Sequence, residues 1–470
     1  MMLSLFLIIP LLGAIAAYAV PRMSRHIALA AAMAMAAVGL LSLSLFDTGI
    51  KTLQLIEKIP WLDLGGFTVS YHLGVDGISY PMVLLTAFLA VVAVLVSRRE
   101  VHTREAPYYA ILLGDVAAIA GVFMAQDLVM FFVFWEAVLV LTFLLILLWG
   151  GENRKYASMK FLIFTGLGSA FLLIAIIMLA VYGKSVDLVT LAGTTLPLEA
   201  QYAFLALLVL AFFIKMPIVP FHTWLPDAHV QAPTAGSILL AGVMLKMGAY
   251  GLLRLGSLVP DAIAAASPFL FWMGVITIIY GAWVCLAQDN LKRLIAYSSV
   301  NHMGFVLVGI ATGSALGITG VVFEMVSHGI LAALLFALAG VVHQQTGTFD
   351  LGSLHGLIRK MPKVGWFMVV ASFGALGLPS MTGFIAEFII IFASFQEFGM
   401  FTLVPLAGMI LAGGYFLRLL AKAVFGRNDR LAIGEQRVSM LPFGLLLAAS
   451  FLLGLLPFLL IDIIRASVLT

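Results

Sequence analysis

Residues 211–234 read AFFIKMPIVPFHTWLPDAHVQAPT. An apolar run carries a single lysine, Lys215, and two prolines follow at once, Pro217 and Pro220. A polar turn with His222, Trp224, Asp227 and His229 comes next. In a soluble protein this is an ordinary helix end. Here the whole chain is 63% hydrophobic and only 10% charged, so the segment is placed in lipid. A lysine beside a broken helix in a membrane is energetically expensive, and such residues mark functional sites.

Working outward, the chain has 470 residues, 35 Phe and a mean hydropathy of +1.15. An ordinary globule is about half apolar. Repeated apolar runs of about 20 residues imply an all-α polytopic membrane protein. A net charge of +3 suggests no nucleic-acid partner. The lone cysteine, Cys285, excludes an internal disulfide and any cysteine cluster. Residues 1–20 contain small residues from Ala14 to Ala19, as a cleaved leader would, but no Lys or Arg precedes the apolar run. A retained first helix is therefore expected.

Fourteen apolar spans are expected, near 3–20, 26–46, 76–97, 107–125, 128–149, 157–182, 203–221, 232–254, 267–287, 294–311, 317–343, 364–397, 401–425 and 438–460. The twelfth is long and interrupted. With the loop after the first span cytoplasmic, 18 of the 25 Lys and Arg fall on that side, from Arg22 and Arg25 to Arg427, Arg430 and Arg437. Lys51, Lys58, Lys184, Arg254 and Arg465 fall on the other. The positive-inside bias then puts both termini on the non-cytoplasmic side, which an even count of spans allows.

A faint internal repeat runs through this pattern. LAGVML at 240–245 resembles LAGMIL at 406–411, LLRL at 252–255 resembles FLRL at 416–419, and Pro217 has a counterpart in Pro379. The offsets agree on two five-helix repeats, spans 4–8 and 9–13, with discontinuous helices 7 and 12. An odd number of helices inverts the second copy, and paired broken helices in two halves point to an ion or substrate site. The expected divisions are 1–106, 107–265, 266–426 and 427–470.

The breaks have a chemical consequence. Pro217 and Pro220 lack N–H groups, so the carbonyls of Phe213 and Met216 lose their helical partners. GLPSMTGF at 377–384 does the same to Ala375. Irregular backbone at membrane depth survives where protein or water satisfies it, so both breaks predict internal water.

Four ionisable residues sit within spans: Glu136 in FFVFWEAVLV, Lys215, Lys246 in AGVMLKMGAYG and Glu387 in GFIAEFII. Each would cost about 2.5–3.5 kcal/mol if left charged in lipid at mid-helix. Two of each sign suggest pairing. Fixed ion pairs locking the helices are one explanation, though apolar packing would do that at a lower desolvation cost. The other is proton handling. Burial lowers a lysine pKa and a nearby carboxylate raises it. A pair at about 4 Å and an effective dielectric near 20 is worth about 4 kcal/mol, roughly three pKa units. A lysine whose partner withdraws can thus release its proton, and Glu136 with Lys215 is the expected switch. His222, His302 and His328 are relay candidates, since histidine titrates near neutral pH. Glu324 and His328 are four apart on one helix face and are expected to pair. Asp115 is a further buried acid in span 4. GLGSAF at 166–171 lies inside an apolar span and is no nucleotide loop. No phosphate-loop sequence and no His/acid set with metal spacing is present.

These residues form a set. PFHTWLPDAHVQAPT at 220–234, KRLIAYSSVNHMGF at 292–305 and GLPSMTGFIAEF at 377–388 resemble the antiporter-like subunits of respiratory complex I, a family shared with multi-subunit cation/proton antiporters and membrane-bound hydrogenases. The resemblance covers about residues 70–425. Glu387, where most branches carry lysine, LGVDGISYP at 73–81 and a chain ending soon after the last span resemble the M-type branch. The resemblance implies a proton-translocating membrane-arm subunit. Glu136 and Lys215 would match the helix 5 and helix 7 pair, Lys246 the central lysine, and Glu387 the terminal acid. His222, His302 and His328 would match histidines of a hydrated axis. Glu324 departs from the family, which more often has a neutral amide there. The resemblance also implies no cofactor in this chain, with NADH, FMN, iron–sulfur clusters and quinone in partner subunits. Its partners would be homologous antiporter-like subunits, other membrane subunits and the lipid bilayer of a bacterial inner membrane. The alternatives are a subunit of an antiporter or hydrogenase complex, or a non-pumping scaffold.

Overall fold

Each of the fourteen expected apolar spans falls on helix in the computed structural model, which describes residues 1–63, 68–427, 433 and 438–467. α1 (Met2–Ala19) and α2 (Ser24–Leu43) form an apolar pair that turns at Pro21. β1 (Gln54–Asp63) and β2 (Thr68–Val75) then pair antiparallel, with Lys58 opposite His72. Four long helices follow: α3 (Ser79–Glu100), α4 (Glu105–Met124), α5 (Leu128–Trp149) and α6 (Arg154–Gly183). The short α7 (Leu188–Leu191) leads to α8 (Leu198–Lys215) and α9 (Trp224–Gln231), the two halves of the first broken helix.

The next span is one rod in three parts. α10 (Thr234–Leu239) passes through a π-helical turn at Leu240–Met244 into α11 (Leu245–Gly256). After it come α12 (Pro260–Ala287), α13 (Leu291–Ala311), the 32-residue α14 (Ala315–Thr346) and the short α15 (Leu357–Lys360). α16 (Pro362–Ala375) and α17 (Thr382–Phe398) are the halves of the second break. α18 (Leu403–Leu419) continues as a π-helical turn at Leu420–Val424. α19 (Leu441–Leu455) and α20 (Phe458–Ile464) meet at a 76° bend.

Among the described residues, twelve helices are long and apolar enough to cross a membrane, or thirteen if the bent pair is one span. The expected fourteen divides differently because of the second break. α16, with 14 residues, rises only about 21 Å, against a hydrocarbon core of about 30 Å. α17 and α18 follow one another through a single 3₁₀ turn at Gly399–Thr402.

Burial sorts these helices into two kinds. The rod Thr234–Gly256, α13 and α14 are enclosed almost entirely by protein, whereas α1, α2, α5 and α6 leave broad apolar sides outward, as helices facing lipid do. The enclosed helices carry Lys246, His302, Glu324 and His328. A helix that is apolar around most of its circumference and still holds such groups needs protein on every side.

α3 fixes which residues share a face. It starts beside the hairpin at Asp76 and ends on the opposite face at Glu100, whose two carboxylate oxygens accept the N–H of Thr234 at 3.0 and 2.9 Å. Two short backbone bridges are spaced alike. Asp127 bridges Asp187 on the hairpin face, and Asn290 bridges Asp350 on the other. In each, the first residue of a long helix donates across the bridge at 2.8 Å, Leu128 to Val186 and Leu291 to Phe349. Asp127 and Asn290 also cap those helices through their side chains.

Several sequence expectations need correction. Arg254 is not a loop residue. It lies inside α11 and is buried, because Asp76 accepts its guanidinium. Lys292, one of the 18 basic residues counted on the cytoplasmic side, is buried in α13, where the carbonyl of Ala232 accepts from it at 2.7 Å. Arg430 and Arg437 lie outside the described residues. The hairpin was not expected at all, although Gly65–Gly66 between two β-branched and aromatic runs is a hairpin signal.

Candidate functional site

The two breaks place the charged residues. At the first, α8 ends on Met216, whose N–H still reaches the carbonyl of Phe212 at 2.7 Å. The carbonyl of Phe213, expected to be orphaned by Pro217, instead accepts from Ile218 N at 2.9 Å. The indole of Trp224 donates to the carbonyl of Ile214 at 2.9 Å. The chain therefore satisfies part of its own break, which reduces the water the break requires. At the second break Leu378 N also reaches back five residues, but to the carbonyl of Phe373 at 2.9 Å rather than to that of Ala375, which Pro379 was expected to free.

Lys215 is the last residue of α8 and is 2% exposed. Its ammonium lies 5.1 Å from the Trp135 ring and 6.0 Å from the Phe161 ring, and it has no hydrogen-bond partner. Direct pairing with Glu136 is thus not what the structure holds. Two carboxylates, those of Asp115 and Glu136, lie near enough to act on the Lys215 charge. Asp115 is 1% exposed and accepts from Thr142 Oγ1 at 3.2 Å. Glu136 is half-buried on α5, with Oε1 unpartnered.

The second group is hydrogen-bonded. Lys246 meets His328 Nδ1 at 2.6 Å and donates to the carbonyl of Ala241. Ala241 belongs to the π-helical turn, where the ladder is re-registered and a carbonyl can be shared with a side chain. The His328 and His302 rings stand 5.2 Å apart. His302 Nδ1 is 3.0 Å from Glu324 Oε1 and 3.7 Å from Glu387 Oε1. Glu387 Oε2 is unpartnered and lies against Gly377, where a Cβ would meet it at 2.9 Å. Ser298, Ser327 and Gly383 join His302, Glu324 and His328 around a cavity of about 10 Å³, near the least volume that holds one water.

The expected pairing of Glu324 with His328 therefore does not occur. Glu324 takes His302 on α13, and His328 takes Lys246 on α11. Helical spacing allowed the local pair, but neighbouring helices supply closer partners. His222 also stands apart. It is buried with both ring nitrogens unpartnered, edge-on to Tyr280 at 5.0 Å and near Tyr297 at 6.1 Å. His229 was passed over as part of a turn, yet it is 0% exposed, unpartnered at both nitrogens and stacked on Phe336. The buried Arg254–Asp76 pair was missed because each residue sits beside a span end. Among the described residues, no three His, Cys, Asp or Glu side chains gather as metal ligands.

The arrangement is suited to moving protons. A cation, two imidazoles and two carboxylates lie in a buried row, as two hydrogen-bonded pairs whose imidazole rings stand 5.2 Å apart and a second carboxylate 3.7 Å from His302, and each gains or loses one proton.

Comparison with known proteins fits this geometry. A family model described as NADH:quinone oxidoreductase/Mrp antiporter, transmembrane, matches residues 125–412. NADH-quinone oxidoreductase subunit M of Rhodobacter capsulatus is 38% identical over 469 residues, covering 96% of this chain and 90% of that protein. The subunit M of Escherichia coli K12 is 42% identical over 396 residues, 81% and 77% of the two chains. A chain of respiratory complex I from Thermus thermophilus with bound NADH superposes with a TM-score of 0.89 at 26% identity, covering 100% of this chain and 99% of that one.

Proposed function

The chain belongs to the NADH:quinone oxidoreductase/Mrp antiporter membrane family, in its subunit M (chain 4) branch, and from that premise we propose that its buried charged row carries protons across the membrane arm. The observation that carries this reading is the buried row of two hydrogen-bonded pairs, Lys246–His328 and His302–Glu324, whose imidazole rings stand 5.2 Å apart, with Glu387 3.7 Å from His302. Electron transfer from NADH to quinone takes place in partner subunits, which hold FMN and the iron–sulfur clusters. This chain has no redox site of its own. The neighbouring membrane subunits pass it a charge rearrangement.

Within the chain, Lys215 is the first station, its proton affinity set by Asp115 and Glu136. Lys246 receives the proton, His328 and His302 relay it, and Glu387 takes it beyond the second break. Moving one charge against 100 mV needs about 2.3 kcal/mol, which is within the energy of one buried pair at an effective dielectric near 20. His222 keeps a relay role at the first break, between the two tyrosines.

The two five-helix units, 107–265 and 266–426, are read as inverted repeats, flanked by 1–106 and 427–470. Support comes from the two similarly spaced bridges on opposite faces. The chain spans a bacterial inner membrane with both termini, and hence the hairpin, on the non-cytoplasmic side.

The test is NADH-driven proton uptake by vesicles holding the assembled complex. Lys246→Met and Lys215→Ala are expected to abolish the uptake assigned to this subunit and to lower the proton-to-electron ratio. Normal uptake in an assembled complex would mean a scaffold subunit with fixed ion pairs.

A further inference from the structure

Three side chains on α11 lead away from the central row toward the hairpin face. Lys246, Tyr250 and Arg254 are spaced four apart, so they share one side of the helix over about 12 Å. Tyr250 is fully buried. Its hydroxyl donates to the carbonyl of Phe123 at 3.2 Å, and its ring packs on Phe123 at 5.3 Å and Phe131 at 6.5 Å. The Arg254 guanidinium lies 5.5 Å from the Tyr250 ring centroid. On its other side, Arg254 Nη2 meets Asp76 Oδ1 at 2.6 Å, and neither side chain is more than 8% exposed. The same Asp76 oxygen accepts from Ile78 N, Ser79 N and Ser79 Oγ at 3.1–3.2 Å.

Beyond the ion pair is a cavity of about 360 Å³ lined by Thr52, Gln126, Ser257 and Arg254 itself. Val189 and Ile56, also in its lining, are more than half exposed, so it opens at the surface on the hairpin face. One layer of aromatic rings and one fixed cation thus lie between a surface cavity and the central lysine. A latch tying α11 to the cap of α3 accounts for the ion pair. It does not account for a guanidinium whose Nε is buried and unpartnered while another edge lines the cavity.

We propose that Arg254, fixed by Asp76 and backed by Tyr250, is an electrostatic plug that keeps protons in the outer cavity from returning to Lys246. A guanidinium keeps its charge at any physiological pH and offers only donors, so it neither relays a proton nor tolerates a hydronium beside it. Asp76, the carboxylate beside it, already accepts from four donors on its Oδ1 alone.

The inference rests on proton carriage by Lys246, but its test needs no turnover. Liposomes containing the whole complex are given a pH gradient, with potassium and valinomycin clamping the voltage and no NADH present, and a trapped dye follows the decay. Arg254→Gln is expected to speed the decay at least tenfold. Adding Lys246→Met to that variant is expected to restore tightness, which loosened packing would not do. Arg254→Lys should be tight at pH 7 and leak as the pH rises, because a buried lysine sheds its proton and arginine does not. An assembled Arg254→Gln complex as tight as the wild type overturns the proposal. If that variant does not assemble, the lysine variant decides, and tightness up to pH 10 overturns it. A tight Arg254→Gln complex leaves the pumping assignment standing, whereas normal pumping by Lys246→Met removes that assignment and with it the premise here.

Discussion

Lys215 shows how far a single residue can be read. Its cost in lipid and the prolines beside it mark it as functional without any structure. The identity of its main partner is a different matter. Glu136 lies in an apolar span and was the natural choice, but Asp115 on α4 is a second carboxylate near the ammonium, and it is fully enclosed. Asp115→Asn is therefore expected to lower proton uptake at least as much as Glu136→Gln, measured in vesicles at matched complex content. A larger loss from Glu136→Gln would restore the original pair. The same reasoning applies to Glu324. Its hydrogen bond to a histidine on another helix is charge-assisted, a class worth about 1.5–3 kcal/mol. Single and double replacement of His302 and Glu324 by Asn and Gln should be non-additive in thermal stability. Additive losses would show that the 3.0 Å contact is not formed.

At the level of elements, the second break depends on close approach of backbone to backbone. A Cβ on Gly383 would lie 2.3 Å from the carbonyl oxygen of Gly374, so α17 could not stay against the end of α16. Gly383→Ala should destabilise the complex by about 1–3 kcal/mol, as overpacking does, and should lower uptake because Glu387 rides on α17. Gly413→Ala, where a Cβ would meet nothing within 4 Å, is the neutral control. Thermal inactivation of both variants checks this. The breaks themselves were legible because proline removes an N–H wherever it stands. How the freed carbonyls are satisfied was not. That Ile218 and Leu378 each reach back five residues depends on the path the chain takes after the break.

For the molecule as a whole, the hairpin is anchored midway along its strands, where Glu57 and Lys58 lie next to each other and Lys58 faces His72. Glu57 accepts from Leu3 N at 2.7 Å at the start of α1, and Asp187 takes Lys58 at 2.9 Å and His72 at 2.6 Å. Burial raises the pKa of Asp187, but hydrogen bonds from His72 and Lys58 outweigh it and hold the carboxyl well below the usual range. A depressed carboxylate stabilises fully above its unfolded pKa of about 3.9, and this is lost only as pH falls through the lower folded value. Hydrogen exchange at Leu188 and Gln126, corrected for intrinsic rates and followed at pH 5, should be less protected in Asp187→Asn than in the wild type. Equal protection in the two would contradict the anchoring role of Asp187. The sequence by itself determined the membrane class, the apolar spans, both breaks and the four costly charges. Each follows from the composition of a local stretch and the free energy of placing it in lipid. Only the tertiary structure decided the partners: His302 with Glu324, His328 with Lys246, and Arg254 with Asp76. Those choices depend on which helix faces cross, and a hydrogen bond of about 3 Å between residues 178 positions apart leaves no periodicity in the chain that forms it.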